Sequence, residues 1–175
     1  MTGAAGSTPS NTTWIDRLSE RIGHGVAWLT LAMVGVTLIV VVLRYAFGTG
    51  RIWLQESITW MHAAVFMLGA AYALRTGDHV RVDVLYRSRT AHQRAWVDAL
   101  GVLLLLWPVC GFIFIESLPY VASSFGVREA SREAGGLPAL YLLKAVIPLM
   151  AALLALQGLA DLLRAVRTIR TPATP

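Results

Sequence analysis

IGHGVAWLTLAMVGVTLIVVVL, residues 22–43, runs for 22 positions without a Lys, Arg, Asp or Glu. Crossing roughly 30 Å of hydrocarbon as an α-helix takes about 20 apolar residues. Three more uncharged runs follow, at residues 57–74, 99–115 and 145–160. Each reaches spanning length once the single charges at its edges (Glu56, Asp98, Glu116, Lys144, Asp161) are counted in. The expected fold is therefore an all-α integral membrane protein with four transmembrane helices, at about 22–44, 53–74, 96–118 and 138–163.

Composition agrees. A hydrophobic fraction of 56% and a mean hydropathy of +0.60 belong to a membrane class. Between the spans no segment is long enough to bury a core of its own, so residues 13–170 read as one membrane domain. The small polar residues 1–12 are expected to form a disordered tail, and 171–175 a short C-terminal one. Trp14, Ile15, Leu18 and Ile22 fall on one helical face, with Asp16, Arg17 and Glu20 elsewhere. That pattern predicts a short interfacial helix ahead of the first span. The lone Cys110 rules out a disulfide framework within the chain and a thiol oxidase built on cysteine pairs. A net charge of +5 raises the question of nucleic acid. The arginines, however, sit in loops with no folded soluble domain to carry them, and no nucleic-acid partner is expected.

The charge is better read as topology. Arg17, Arg21, Arg75, Arg81, Arg87, Arg89, Arg94, Arg164, Arg167 and Arg170 fall on the side shared by the termini and the second loop. Only Arg44, Arg51, Arg128 and Arg132 fall on the other. Positive charge stays inside, which places both termini in the cytoplasm. Thr90-Ala91-His92-Gln93 reads as a capping box that starts the third helix before Trp96. Gly135-Gly136-Leu137-Pro138 reads as a turn followed by a proline in the first turn of the fourth helix. Pro108 and Pro148 fall in mid-span.

Ionisable residues inside a membrane need a partner or a function. Glu56, Glu116 and Lys144 are expected in the outer leaflet, within about 6 Å of one another in depth. Lys144 is expected to pair with Glu56 or Glu116. Pro148, Ala151, Ala155 and Gly158 share its helical face, a stripe of small residues suited to close packing in lipid. Asp98 and Glu116, 18 residues apart, share a face if the helix stays regular through Pro108. These charges serve either as links between helices or as an ion path. His24 and His62 differ in depth by roughly 12 Å, which argues against a haem held between them. His79 and His92 lack zinc-site spacing. With no phosphate loop, nucleophile triad or dinucleotide fingerprint, no enzyme activity, metal or cofactor is expected.

One set of motifs is distinctive. Trp53-Leu54-Gln55-Glu56 opens the second span and Phe66-Met67-Leu68-Gly69-Ala70-Ala71 follows. Then come Arg75-Thr76-Gly77-Asp78-His79-Val80-Arg81-Val82-Asp83, the Gly135–Pro138 turn, Lys144, Pro148 and Leu156-Gln157-Gly158. From about Trp14 to Ile169 the chain resembles the small membrane subunit (DctQ type) of tripartite ATP-independent periplasmic, or TRAP, transporters. It departs at Gln55-Glu56, where the family often carries two adjacent acids. The resemblance implies a multi-pass subunit of the bacterial inner membrane. Its partners would be a large permease subunit, a periplasmic solute-binding protein that docks transiently, and membrane lipids. It also implies uptake of an organic acid driven by an ion gradient, with the coupling ion, usually sodium, held on the large subunit. Arg75, Gly77, His79, Arg81 and Asp83 would form a cytoplasmic loop motif. Arg128, Glu129, Arg132 and Glu133 are candidates for docking outside the membrane. Two other readings stand beside this one, a self-sufficient homodimeric exporter and a haem or redox membrane subunit.

Overall fold

The computed structural model describes residues 13–76 and 90–171. The expected tails at 1–12 and 172–175, and Gly77, His79, Arg81 and Asp83 of the loop motif, lie outside the described residues. Among the described residues four helices are long and apolar enough to cross a membrane: α1 (Trp14–Ala46), α2 (Ile52–Thr76), α3 (Ala91–Gly126) and α4 (Leu140–Arg170). No strand occurs among the described residues.

Local chemistry sets the helix ends. Thr13 caps α1: its hydroxyl accepts from the Asp16 N–H at 3.3 Å, while the Asp16 carboxylate accepts the Thr13 N–H at 2.8 Å. Such a box satisfies backbone donors that the first turn leaves free. No break follows it. The segment expected as a separate interfacial helix is the first turns of α1 itself. Within it Ile15, Asp16 and Ser19 are buried, whereas Trp14 and Leu18 are exposed. The box expected from Thr90 and Gln93 is present and starts α3. Pro138, by contrast, lies ahead of α4 and not in its first turn. Ala139, in the left-handed conformation at φ 70°, reverses the chain before the helix begins.

Residues 102–106 of α3 form a π-helical turn, in which the Trp107 N–H reaches back to the Val102 carbonyl. Pro108 has no N–H to offer the Leu104 carbonyl, and the wider turn lies just ahead of it. One added residue rotates all that follows by about 100°. Asp98 and Glu116 therefore do not share a face, contrary to the regular-helix expectation.

Packing follows an open row. α1 lies along α2 and meets α4 less extensively; α2 packs on α4; α3 packs on α4, with no extensive contact between α1 and α3. The row is held by small residues, as expected where lipid removes the hydrophobic drive between helices. Pro148, Ala151 and Gly158 on the predicted stripe of α4 are buried, and the Trp107 indole N–H donates to the Ala155 carbonyl at 3.2 Å. Between α1 and α2 the approach is closest at Gly23, where an added Cβ would stand 2.6 Å from Cγ of the Tyr72 ring.

Candidate functional site

Polar side chains gather at the two ends of the helices. At the end that holds the α1 N-terminus, the capping residue Asp16 points inward, its side chain 3% exposed. Arg164 of α4 donates through Nη1 to both carboxylate oxygens, at 2.8 and 3.0 Å. Gln157 Nε2 donates to Asp16 at 3.2 Å, and Gln157 Oε1 accepts the Ser19 hydroxyl at 2.7 Å. Arg75, at the end of α2, lies 3.8 Å from Asp16 and 3.3 Å from Glu20. Arg164 also pairs with Asp161 one turn back. A charge taken out of water is tolerable only when paired and hydrogen-bonded, and among the described residues every buried side-chain polar atom has a partner. Three helices are thus tied at one carboxylate.

Neither Asp16 nor Arg164 stood out in the sequence, where the first read as a polar position on an interfacial helix and the second as a topology charge. Two signals pointed the right way. Asp16 follows Thr13 at capping-box spacing, and Gln157 interrupts an otherwise apolar run.

At the other end the loop between α3 and α4 folds back over the helix ends. Glu56 of α2 accepts from the Ser131 hydroxyl and, at 2.6 Å, from the Leu137 N–H. Glu129 accepts from Lys144 of α4 and, at 2.6 Å, from the Ser124 hydroxyl. Lys144 and Ser124 together hold the Glu129 carboxyl below its ordinary range. The Lys144 ammonium also stands 4.1 Å from the Tyr120 ring centroid, within cation–π range. Arg128, Gly135 and Ala139 take positive φ to turn the chain. The result is a shaped loop tied to α2, α3 and α4, with Arg128, Arg132 and Glu133 left on its exposed side.

The expected pairing of Lys144 with Glu56 or Glu116 is corrected. Its partner is Glu129, because the loop delivers Glu129 to the helix end and supplies Glu56 with neutral donors. Glu129 is accordingly turned inward and not spread over the surface with Arg128 and Arg132. Glu116 has a different setting: α3 continues beyond it to Gly126, and its side chain is exposed on the flank of the row.

His24 and His62 occupy separate places. His24 Nδ1 lies 2.8 Å from the Glu20 carbonyl of its own helix. His62 sits in tilted contact with Phe66, ring centroids 5.4 Å apart. It helps line an open groove of about 620 Å³ between α1 and α2, with Met33, Val34, Leu38, Ile58 and Thr59. Nothing in either end cluster resembles a nucleophile with its base. Both arrangements fix helices and a loop.

The class this defines is a small multi-pass membrane protein whose paired polar groups gather at the two ends of its helices. The model of the DctQ component of tripartite ATP-independent periplasmic transporters matches residues 33–168, and the chain belongs to that family of transport proteins. It is also similar to a protein of Haemophilus influenzae (strain 86-028NP), the sialic acid TRAP transporter permease protein SiaT. The two are 29% identical over 115 residues, which cover 66% of this chain and 17% of the relative. The chain thus matches only a small part of that relative's length. No solved structure matches the chain.

Proposed function

We propose that this chain is the small membrane subunit of a TRAP-type transporter, bracing a larger permease laterally and helping to dock a periplasmic solute-binding protein. The observation that carries the reading is the match to a stretch making up 17% of a longer transporter permease. The remaining portion of such a machine is where a substrate path is expected. Alternating access commonly uses repeated helix sets around a midplane site, and four helices in an open row are few for that task.

In this reading both termini and the Asp16 cluster lie on the cytoplasmic side of the bacterial inner membrane, by the distribution of arginines. The tied loop of residues 127–139 then faces the periplasm. Arg128, Arg132 and Glu133 present charge to a soluble partner there, held in register by Glu56 and Glu129. The relative's printed substrate, sialic acid, is an organic acid, and an organic acid is the proposed cargo. It would be driven by an ion gradient with the coupling ion, sodium, on the larger portion. This chain would need no cofactor.

Purification of the tagged chain in mild detergent tests the bracing role, with a large multispanning permease expected to co-purify. Reversal of charge at Arg128 and Arg132 tests docking. Assembly should survive and uptake should fall; unchanged uptake would remove the loop from the docking surface.

A further inference from the structure

Building on the bracing role, we infer that the outward stripe of α3 bearing Val109, Phe112 and Glu116 packs against a transmembrane helix of the larger permease. There Glu116 pairs with a lysine or arginine of that helix.

Glu116 is the only Lys, Arg, Asp or Glu in residues 99–126. That run is 28 residues, or about 42 Å of helix. Wherever a hydrocarbon slab of about 20 residues is set within it, Glu116 falls inside. Beyond the π turn, the residues of α3 that are buried in this chain, Cys110, Ser117, Val121 and Ser124, face α4. Glu116 points away from them, and Val109 and Phe112 lie within about 40° of it on the same stripe. Both are more than half exposed, at 55% and 68%. α3 closes one end of the row and has no helix on that side among the described residues.

Among the described residues the acid has no counterpart. No cation among them lies within ion-pair distance of Glu116, and Lys144, over the Tyr120 ring of the same helix, is engaged by Glu129. Whether charged or protonated, a carboxyl keeps oxygens that hydrocarbon cannot satisfy, and its short stem is less able to snorkel than that of Lys or Arg. Lipid alone is thus a poor cover. A second copy of this chain is poor too, because a two-fold contact through this stripe would bring Glu116 toward Glu116. A different helix carrying a cation matches the surface in charge. The outward face of α1, with Trp28, Leu31, Val34 and Leu38 exposed, asks for nothing beyond lipid. The groove beside His62 is mostly apolar, and an imidazole need not carry charge.

Photocrosslinking in membranes expressing the whole transporter tests this, with a benzophenone side chain placed singly at Val109 or at Val34. The expected result is a crosslink to the permease from Val109 and none from Val34. Mapping that crosslink identifies the facing helix. Glu116→Lys should lower permease recovery with the tagged chain at least about tenfold, with Glu116→Gln affected less. Replacing the facing basic residue by an acid should restore Glu116→Lys. A permease crosslink from Val34 but not Val109, a Val109 crosslink to a second copy, or full recovery with Glu116→Lys would overturn the inference. In those cases co-purification of the wild-type chain would keep the bracing role standing. Wild-type chain that recovers no permease at all would end both. The crosslink is read with Glu116 intact, so it does not depend on how the variants fold.

Discussion

The two polar ends of this molecule use similar residues for different tasks. At one end Asp16, nearly sealed from solvent, draws α1, α2 and α4 together through Arg164, Arg75 and Gln157. At the other, Glu56 and Glu129 are partly exposed and hold a loop in place through Ser131, Leu137, Ser124 and Lys144. A buried charge that loses its partner destabilises the whole packing, whereas a tether at a water-facing loop governs local order. The first cluster should therefore report on global stability and the second on surface shape.

The sharpest contrast should come from Asp16→Ala, which leaves Arg164 and Gln157 without their common acceptor. Breaking a buried pair costs about 3–5 kcal/mol, so thermal unfolding in detergent should shift strongly. Loss of less than about 1 kcal/mol would mean that the carboxylate is not what joins the three helices. Gly23→Ala is expected next. Tyr72 packs where the new methyl must sit, and overpacking typically costs about 1–3 kcal/mol. A stabilised variant would show that the ring moves aside freely.

Changes at the loop end should leave global unfolding nearly untouched. Glu56→Gln replaces a pure acceptor by a group that must turn one face to both donors. Amide exchange across residues 127–139 should speed up about tenfold with the unfolding midpoint little changed. Lowering pH should loosen the same loop. Glu129 titrates below its ordinary 4.5 in the folded protein, so its contribution is complete above that value. It is lost as pH falls through the lower, folded value. Exchange rates followed between pH 6 and 3 should rise toward the acid end in the wild type. In Lys144→Met, which removes the main cause of the shift, that rise should begin nearer 4.5. Smallest of all, reversing Arg128 and Arg132 should move stability by no more than about 0.5 kcal/mol, as both are exposed.

Much of this was legible in the sequence. The four spans rest on run length alone, the stripe of Pro148, Ala151 and Gly158 on helical phase, and the start of α3 on Thr90 and Gln93. What escaped was long-range. Asp16 meets Arg164 across 148 positions, and neither residue's spacing announces the other. Lys144 was read against the acids of neighbouring helices, whereas its true partner arrives on a loop turned by Arg128 and Ala139, residue types with no marked preference for positive φ. The shared face of Asp98 and Glu116 was lost to a single π turn, which periodicity cannot reveal. The polar pairs went unread because tertiary geometry chooses among several chemically equivalent partners.

Reconstitution into liposomes tests the central claim most directly, comparing organic-acid uptake by this chain alone, by the larger permease alone, and by the two together with the solute-binding protein and an imposed sodium gradient. The expected result is uptake only in the combined vesicles. Uptake by this chain alone, or undiminished uptake without it, would contradict the assignment of a bracing subunit.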